Sequence, residues 1–506
     1  MGSNPTLSAT AVVRPEAVPL SPAPAERPLT PTPGEEIGGF LVGEKIHAGA
    51  LGAIYRASPG AGRAPLPFPV ILKTPRAGRG DGGEGLLGFR TEAMVLPLLQ
   101  GPYVPKFVSA GDIATAPFLA MEWIEGEALE HRLGAGPLGF EEAARIGAAI
   151  ADALGDLHRQ QAIHFDLKPA NVILRPSGDV ALIDFGMAHH ARLPDLLAEE
   201  RRFAGGSAPY VSPEQVLGSR LDPRSDLFAL GAMLYEMATG RLPFGAPQTL
   251  AGLRDRLWLD PVPPRLLNPA LPRWYQEVTL RCLEPEAGRR YESAAHVAFD
   301  LRHPEQVTLT ERGRKIERAG VLEHLRRWWQ ARERQSAPPP PAAEVRSPEA
   351  RVIMVAVDTM HPEDERHPVL RAATSRVLGM SAEYRLICVS VVRGERVVAV
   401  SGEDGSAPGI HMEHLIRLRE WVRPLGLAES RMSLHVLEAL NPSGTLLDFA
   451  RGNLVDVIII GAPHADQQAL AWWRSIASSV TANAHCSVYV VRTPEESQHQ
   501  AAPGGA

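Results

Sequence analysis

Two kinds of apolar pattern divide the chain. Near its middle, "FEEAARIGAAIADALGDLHRQ" repeats small and apolar residues every three or four positions, which predicts a long, Ala-rich amphipathic helix. Further on, "RVIMVAVD", "LVDVIIIGAP" and "CSVYVVR" are unbroken apolar runs separated by helix-like stretches. Such runs fit strands buried on both faces, so residues 351–492 are expected to form a parallel α/β sheet. Residues 37–302 open on a strand–turn–strand and then mix strand-like and helix-like segments.

Between and around these regions the pattern fails. Residues 1–36 are rich in Pro, Ala, Ser and Thr and end in "RPLTPTPGEE", too little apolar surface to offset ordering entropy. Residues 303–350 join the two halves. Within them, 311–335 reads as a basic helix, eight basic residues to four acidic, with Val321, Leu325, Trp328 and Trp329 near one face. That helix would pack on the first half or lie on an anionic membrane surface. "SAPPPPAAEVRSPEA" then reads as a stiff, extended linker. Residues 493–506 are expected to be disordered.

Composition narrows the function classes. The 506 residues suffice for about two to four domains. A net charge of −6 gives no sign of a general nucleic-acid binder. Cys282, Cys388 and Cys486 are scattered without metal-ligand spacing, and a reducing compartment suits them. No apolar run approaches the ~20 residues of a membrane span, and the N-terminus lacks a signal-peptide pattern. A cytoplasmic protein is the expectation.

The chemistry concentrates in residues 37–302. In "IHAGALGAIYRA", Gly49 and Gly52 would let the backbone approach phosphates, and Ile54 would pack against a base. In "PVILK", Lys73 on a strand can pair with α- and β-phosphates, and Glu92 of "FRTEAMVLPLL" is placed to hold it. "AIHFDLKPANVIL" supplies Asp166 to orient an attacking hydroxyl, Lys168 to neutralise the transferred group and Asn171 to hold magnesium. Asp184 of "LIDFGMA" adds a second metal-binding carboxylate. Phosphoryl transfer is mostly positioning and electrostatic stabilisation, and these are the groups it needs.

In this order the motifs resemble a bacterial Ser/Thr protein kinase domain. The resemblance implies a bilobal α+β kinase fold with ATP and Mg2+ bound between the lobes. It implies that "LAMEWIEG" is the hinge, with Met121 behind the adenine and the backbones of Glu122 and Ile124 bonding its edge. "GGSAPYVSPEQ" resembles the end of an activation segment, with Ser207 where relatives often carry Thr. Its Glu214 would pair with Arg290, and Asp226 would hold the catalytic-loop backbone. Lys168 favours Ser/Thr over Tyr acceptors in protein substrates.

The chain departs from the family at His47, in place of the first phosphate-loop Gly, and at Phe165, in place of the Arg that precedes the catalytic Asp. In relatives that Arg reads a phosphate on the activation segment. Between Gly186 and Ser207 this chain has no Ser, Thr or Tyr, so reader and acceptors are missing together. An active, non-RD kinase whose segment is ordered without phosphate is therefore expected, with Ser207 and Ser212 as remaining candidate sites.

Residues 351–492 resemble the universal stress protein domain, a Rossmann-like α/β fold. Asp358 ends the first strand, where such sheets present ligand-facing residues. Of the family's ATP-binding pattern, Gly461 and Ser475 match, while His464 and Arg474 replace two glycines. Trp472 and Trp473 would be packing or interface residues. ATP binding at this site and a dimerisation or docking domain without nucleotide both remain open. The second domain would tune the first or assemble homodimers. Rival readings are a catalytically silent pseudokinase scaffold and a small-molecule phosphotransferase of kinase-like fold.

Overall fold

A computed structural model describes residues 31–49, 52–75, 84–113, 116–200, 207–317, 329, 351–362, 364, 366–381, 383–393, 410–462 and 471–492. The first lobe is an antiparallel sheet in the order β1-β2-β3-β4-β6-β5. Its strands are β1 (Glu36–Ile37), β2 (Phe40–Gly49), β3 (Gly52–Pro59), β4 (Val70–Thr74), β5 (Phe107–Ala110) and β6 (Leu119–Glu122). The β2–β3 turn closes with Gly49 opposite Gly52. Gly52 has φ +139°, and a Cβ there would lie 2.0 Å from the Thr74 carbonyl, so no other residue fits this strand edge. Every residue of β4 is buried, and Lys73 stands opposite Ile54 on β3 and Leu119 on β6.

The second lobe is built on helices. The Phe140–Arg159 helix forms where the Ala-rich periodicity predicts it, and its apolar stripe, including Ile146, Ile150, Leu154 and Leu157, is buried. It packs on the Arg224–Thr239 helix, whose apolar residues surround its axis and which is buried almost throughout. Glycine permits the contact: a Cβ on Gly147 would come within 2.5 Å of Leu234. Gly240 ends the second helix in the left-handed conformation, its N–H bonding Glu236 O at 2.8 Å.

The C-terminal domain is an all-parallel sheet in the order β14-β13-β12-β15-β16. Its strands are β12 (Arg351–Ala356), β13 (Tyr384–Arg393), β14 (Met432–Ala439), β15 (Val457–Gly461) and β16 (Ser487–Val491). The apolar runs are explained by two-sided burial. Val352, Met354 and Ala356 face a cluster with Leu446, Phe449 and Val480, while Ile353, Val355 and Val357 face Leu370, Leu418 and Trp421. Strand order reverses between β12 and β15, which places Asp358 and Gly461 at the switch-point crevice.

The basic helix read over 311–335 is interrupted near its start. It runs Glu311–Arg314 and stops at Lys315. Glu277 explains the break: it accepts from Thr310, Arg312 Nε and the Gly313 N–H, tying this turn to the Arg273–Cys282 helix. Beyond residue 317 only Trp329 is described, helical and exposed, so Val321, Leu325 and Trp328 lie outside the described residues.

Candidate active site

Short strands frame the site. β8 (Ala162–Ile163) pairs with β11 (His189–His190), and β9 (Val172–Leu174) pairs with β10 (Val180–Leu182) and with β7 (Glu127–Ala128). The loop between β8 and β9 carries Asp166, Lys168 and Asn171, and the turn after β10 carries Asp184.

Asp226 fixes this loop from below. Its carboxylate accepts from the His164 N–H at 3.0 Å, the Phe165 N–H at 2.9 Å and His158 Nε2 at 2.8 Å. Burial alone would raise its pKa, but the hydrogen bond and charge of His158 hold the carboxyl below the usual range. These bonds, with Gln215 Nε2 donating to Phe165 O at 2.9 Å, sustain a left-handed φ of +60° at Phe165.

Asp166 is 7% exposed and receives donors on both oxygens. Lys168 Nζ lies 2.8 Å and Asn171 Nδ2 3.3 Å from Oδ2, while the Ser207 N–H donates to Oδ1 at 2.7 Å. Asn171 Nδ2 also bonds the Asp166 carbonyl at 2.8 Å.

Opposite stands Lys73, whose Nζ is 2.5 Å from Glu92 Oε2 and 2.9 Å from Asp184 Oδ1. Burial would lower the Lys73 pKa, but Glu92 and Asp184 hold it above its ordinary value, so the ammonium stays charged. Asp184 is raised by burial and lowered further by Lys73, with a net fall. Asp184 also takes a left-handed φ of +64°. Glu92 comes from the Glu84–Val95 helix, and its Oε1 accepts the Phe185 N–H at 3.3 Å. The helix approaches closely because Gly88 faces Gly186, where a Cβ would sit 3.3 Å from the Gly88 carbonyl.

The Asp184 carboxylate and Asn171 amide offer hard oxygen donors beside this cluster, a donor set that suits a small divalent cation shared with phosphates. Ile54 is half-buried on β3, and Met121 and Ile124 are buried at and just after the end of β6. Glu122 ends that strand, its N–H bonded to Lys106 O at 2.9 Å. The tip between Gly49 and Gly52 lies outside the described residues.

Several residues absent from the motif reading hold the segment after Asp184. Asp195 caps the Leu196–Glu199 helix through the Ala198 N–H at 3.1 Å, and its Oδ2 receives Arg220 Nε at 2.9 Å. Burial would raise Asp195, yet Arg220 holds its carboxyl below the usual range. Arg220 also donates to Met187 O at 2.7 Å and lies 4.5 Å above the Phe165 ring. Buried Arg256 gathers the carbonyls of Ala208 and Val211. Gln215 was legible as half of a capping box with Ser212, three residues earlier; Asp195 carries only the signal of a helix N-cap, and Arg220 carries no local signal.

Glu214 and Arg290 form a bidentate pair at 2.7 and 2.8 Å, reinforced by Ser225 Oγ at 2.6 Å from Glu214 and by the Phe228 ring 5.0 Å from the guanidinium.

In the second domain, Asp358 accepts the Met360 N–H at 3.0 Å and faces His361 Nδ1 at 2.9 Å. Beside it, buried Thr359 Oγ1 contacts Ser390 Oγ at 2.6 Å and His414 Nδ1 at 2.7 Å. Gly461 ends β15. His464 and the side chains of Trp472, Trp473, Arg474 and Ser475 lie outside the described residues.

Comparison with known families matches residues 44–288 to the protein kinase domain and residues 349–492 to the universal stress protein family. Among curated relatives, serine/threonine-protein kinase PrkC of Bacillus subtilis is 28% identical over 271 residues, 53% of this chain and 41% of the relative. Serine/threonine-protein kinase PknB of Mycobacterium tuberculosis is 29% identical over 275 residues, 53% of this chain and 43% of the relative. The chain thus spans less than half the length of these relatives.

Proposed function

We propose that this chain, which belongs to the protein kinases over residues 44–288 and to the universal stress proteins over residues 349–492, is an ATP- and magnesium-dependent Ser/Thr protein kinase of the non-RD type. The observation that carries this reading is the closed Lys73–Glu92–Asp184 cluster facing Asp166 and Asn171.

The geometry supports the following roles. Lys73, kept charged and oriented by Glu92, would bind the α- and β-phosphates of ATP, with Gly49 and Gly52 allowing the strand edge to approach them. Ile54 and Met121 would line the adenine side, and the backbones of Glu122 and Ile124 would bond its edge. Asp166 would accept or orient the proton of a Ser or Thr hydroxyl, and Lys168 would offset charge on the moving phosphoryl group. Asn171 and Asp184 would hold Mg2+, which supplies charge neutralisation at the phosphates. Purified chain with ATP, magnesium and myelin basic protein should yield phosphoserine or phosphothreonine on the acceptor. No transfer would favour a silent scaffold instead.

The control reading rests on Phe165. Its ring, 3% exposed, fills the place of a phosphate-reading Arg and carries Arg220 on its face. Arg220 in turn grips Asp195, a carboxylate within the segment itself. A built-in carboxylate would thus do what an added phosphate does elsewhere. Arg220→Ala should lower kcat about tenfold, or about 1.4 kcal/mol of barrier, with KM for ATP little changed. A kcat equal to that of the parent protein would remove Arg220 from this account.

No described helix is long and apolar enough to cross a membrane; a cytoplasmic location is part of the proposal. Homodimerisation would use the outer edge of β16, where Tyr489 and Val490 are exposed. With glycines replaced at positions 464 and 474, docking rather than nucleotide binding is the favoured role of the second domain.

A further inference from the structure

The second domain touches the first at two elements that control its active site. One is the Glu84–Val95 helix, which supplies Glu92. Arg90 lies two residues earlier, about 200° around the helix, so it points away from Lys73. Its Nη1 donates to Leu434 O at 2.9 Å, on the edge strand β14. On the same side Leu86 packs against the domain's apolar cluster of Leu415, Leu418 and Val436, as does Ile113 from the loop after β5.

The other element is the activation segment. Leu196 and Leu197 pack on Leu87 of the same helix, and the segment then presents two acidic side chains to the second domain. Glu199, buried, meets Arg385 of β13 and His435 Nε2 of β14, the latter at 2.6 Å. Glu200 meets His435 Nδ1 at 3.0 Å. Asn453 Nδ2 donates to Glu199 O at 3.1 Å. His435 is 0% exposed, between two carboxylates and the Phe449 ring.

This arrangement is built for one occupant. Buried charges persist only when paired, and here pairing requires both domains. Arg385 and His435 come from one, Glu199 and Glu200 from the other. An open sheet edge leaves carbonyls seeking donors, and Arg90 of the first domain supplies one. The docked state is also the assembled state, because the Lys73–Glu92 bond is closed within it.

We infer that the second domain is an intramolecular activator whose β13–β14 edge clamps the Glu84–Val95 helix and the activation segment in the assembled position. The inference rests on the kinase reading for its catalytic consequence. Undocking frees the back of the helix and leaves Glu199 without Arg385 and His435, so Glu92 leaves Lys73 more readily. A ligand or stress signal acting on the second domain changes activity by shifting this docking equilibrium.

The test uses the full chain and approaches the clamp from both sides: Arg90→Ala in the first domain, and the double variant Arg385→Ala with His435→Ala in the second. Two readouts are taken, phosphoryl transfer and amide hydrogen exchange over residues 84–95. Each variant should lower the transfer rate about tenfold or more and speed exchange in the helix about tenfold, equivalent to about 1.4 kcal/mol. Arg90→Ala leaves the second domain's own residues intact, so it decides the matter if the double variant misfolds. Unchanged rate and exchange overturn the clamp, and a rate that rises shows the contact to be inhibitory and overturns it as well. If the parent chain transfers no phosphate, the kinase reading fails on its own. Exchange then still decides the clamp: faster exchange in the variants supports it, and unchanged exchange overturns it.

Discussion

Asp166→Asn should reduce phosphoryl transfer about 10²- to 10⁴-fold while leaving KM for ATP within a few-fold of the parent value. The carboxylate sits among donors: Lys168 and Asn171 on one oxygen, the Ser207 N–H on the other. An amide of the same shape has one acceptor and one donor end. Either end turned inward therefore sets a donor against a donor, and the side chain loses its basicity as well. The protein should remain folded, because Asp226, not Asp166, anchors the His164 and Phe165 amides. Initial rates with labelled ATP and a protein acceptor measure the effect. A rate within threefold of the parent would show that Asp166 does not handle the acceptor proton.

The largest effect on stability should come from Glu214→Ala. Arg290 is fully buried, and Glu214 supplies its only carboxylate among the described residues, in two bonds. Removing one partner of a buried pair strands the other charge, which costs about 3–5 kcal/mol. In a domain of this size the melting temperature should fall on the order of 10 °C. Pairing the change with Arg290→Met should recover part of the loss, because no unpaired charge is then left inside. Thermal and denaturant unfolding of the single and double variants give the comparison. A Glu214→Ala loss below about 1 kcal/mol would mean that water or the neighbouring carbonyls of Arg224, Glu284 and Pro285 satisfy Arg290 without the carboxylate.

Legibility in the sequence tracked how local each cause was. The Phe140–Arg159 helix and the β12 run follow from spacing alone, since burial on one stripe or on two faces writes itself into neighbouring residues. The catalytic loop was legible because Asp166, Lys168 and Asn171 lie within six residues. The absence of hydroxyls between Gly186 and Ser207 was visible, but what replaces them was not. Arg220 meets Asp195 and Phe165 only through the fold, and a lone Arg has no pattern. The same holds for Glu199 and His435, more than 200 residues apart in the chain. The break at Lys315 within the helix read over 311–335 was not legible, because Glu277, a tertiary partner, captures its first turn.

The central claim is phosphoryl transfer by a site whose activation segment needs no phosphate. Its most direct test compares the rate of transfer from labelled ATP to a protein acceptor before and after exhaustive phosphatase treatment of the full chain, with intact-mass spectrometry to confirm that phosphate is gone. Equal initial rates are expected. A rate lost on treatment and restored by phosphate on Ser207 or Ser212, or no transfer under either condition, would contradict it.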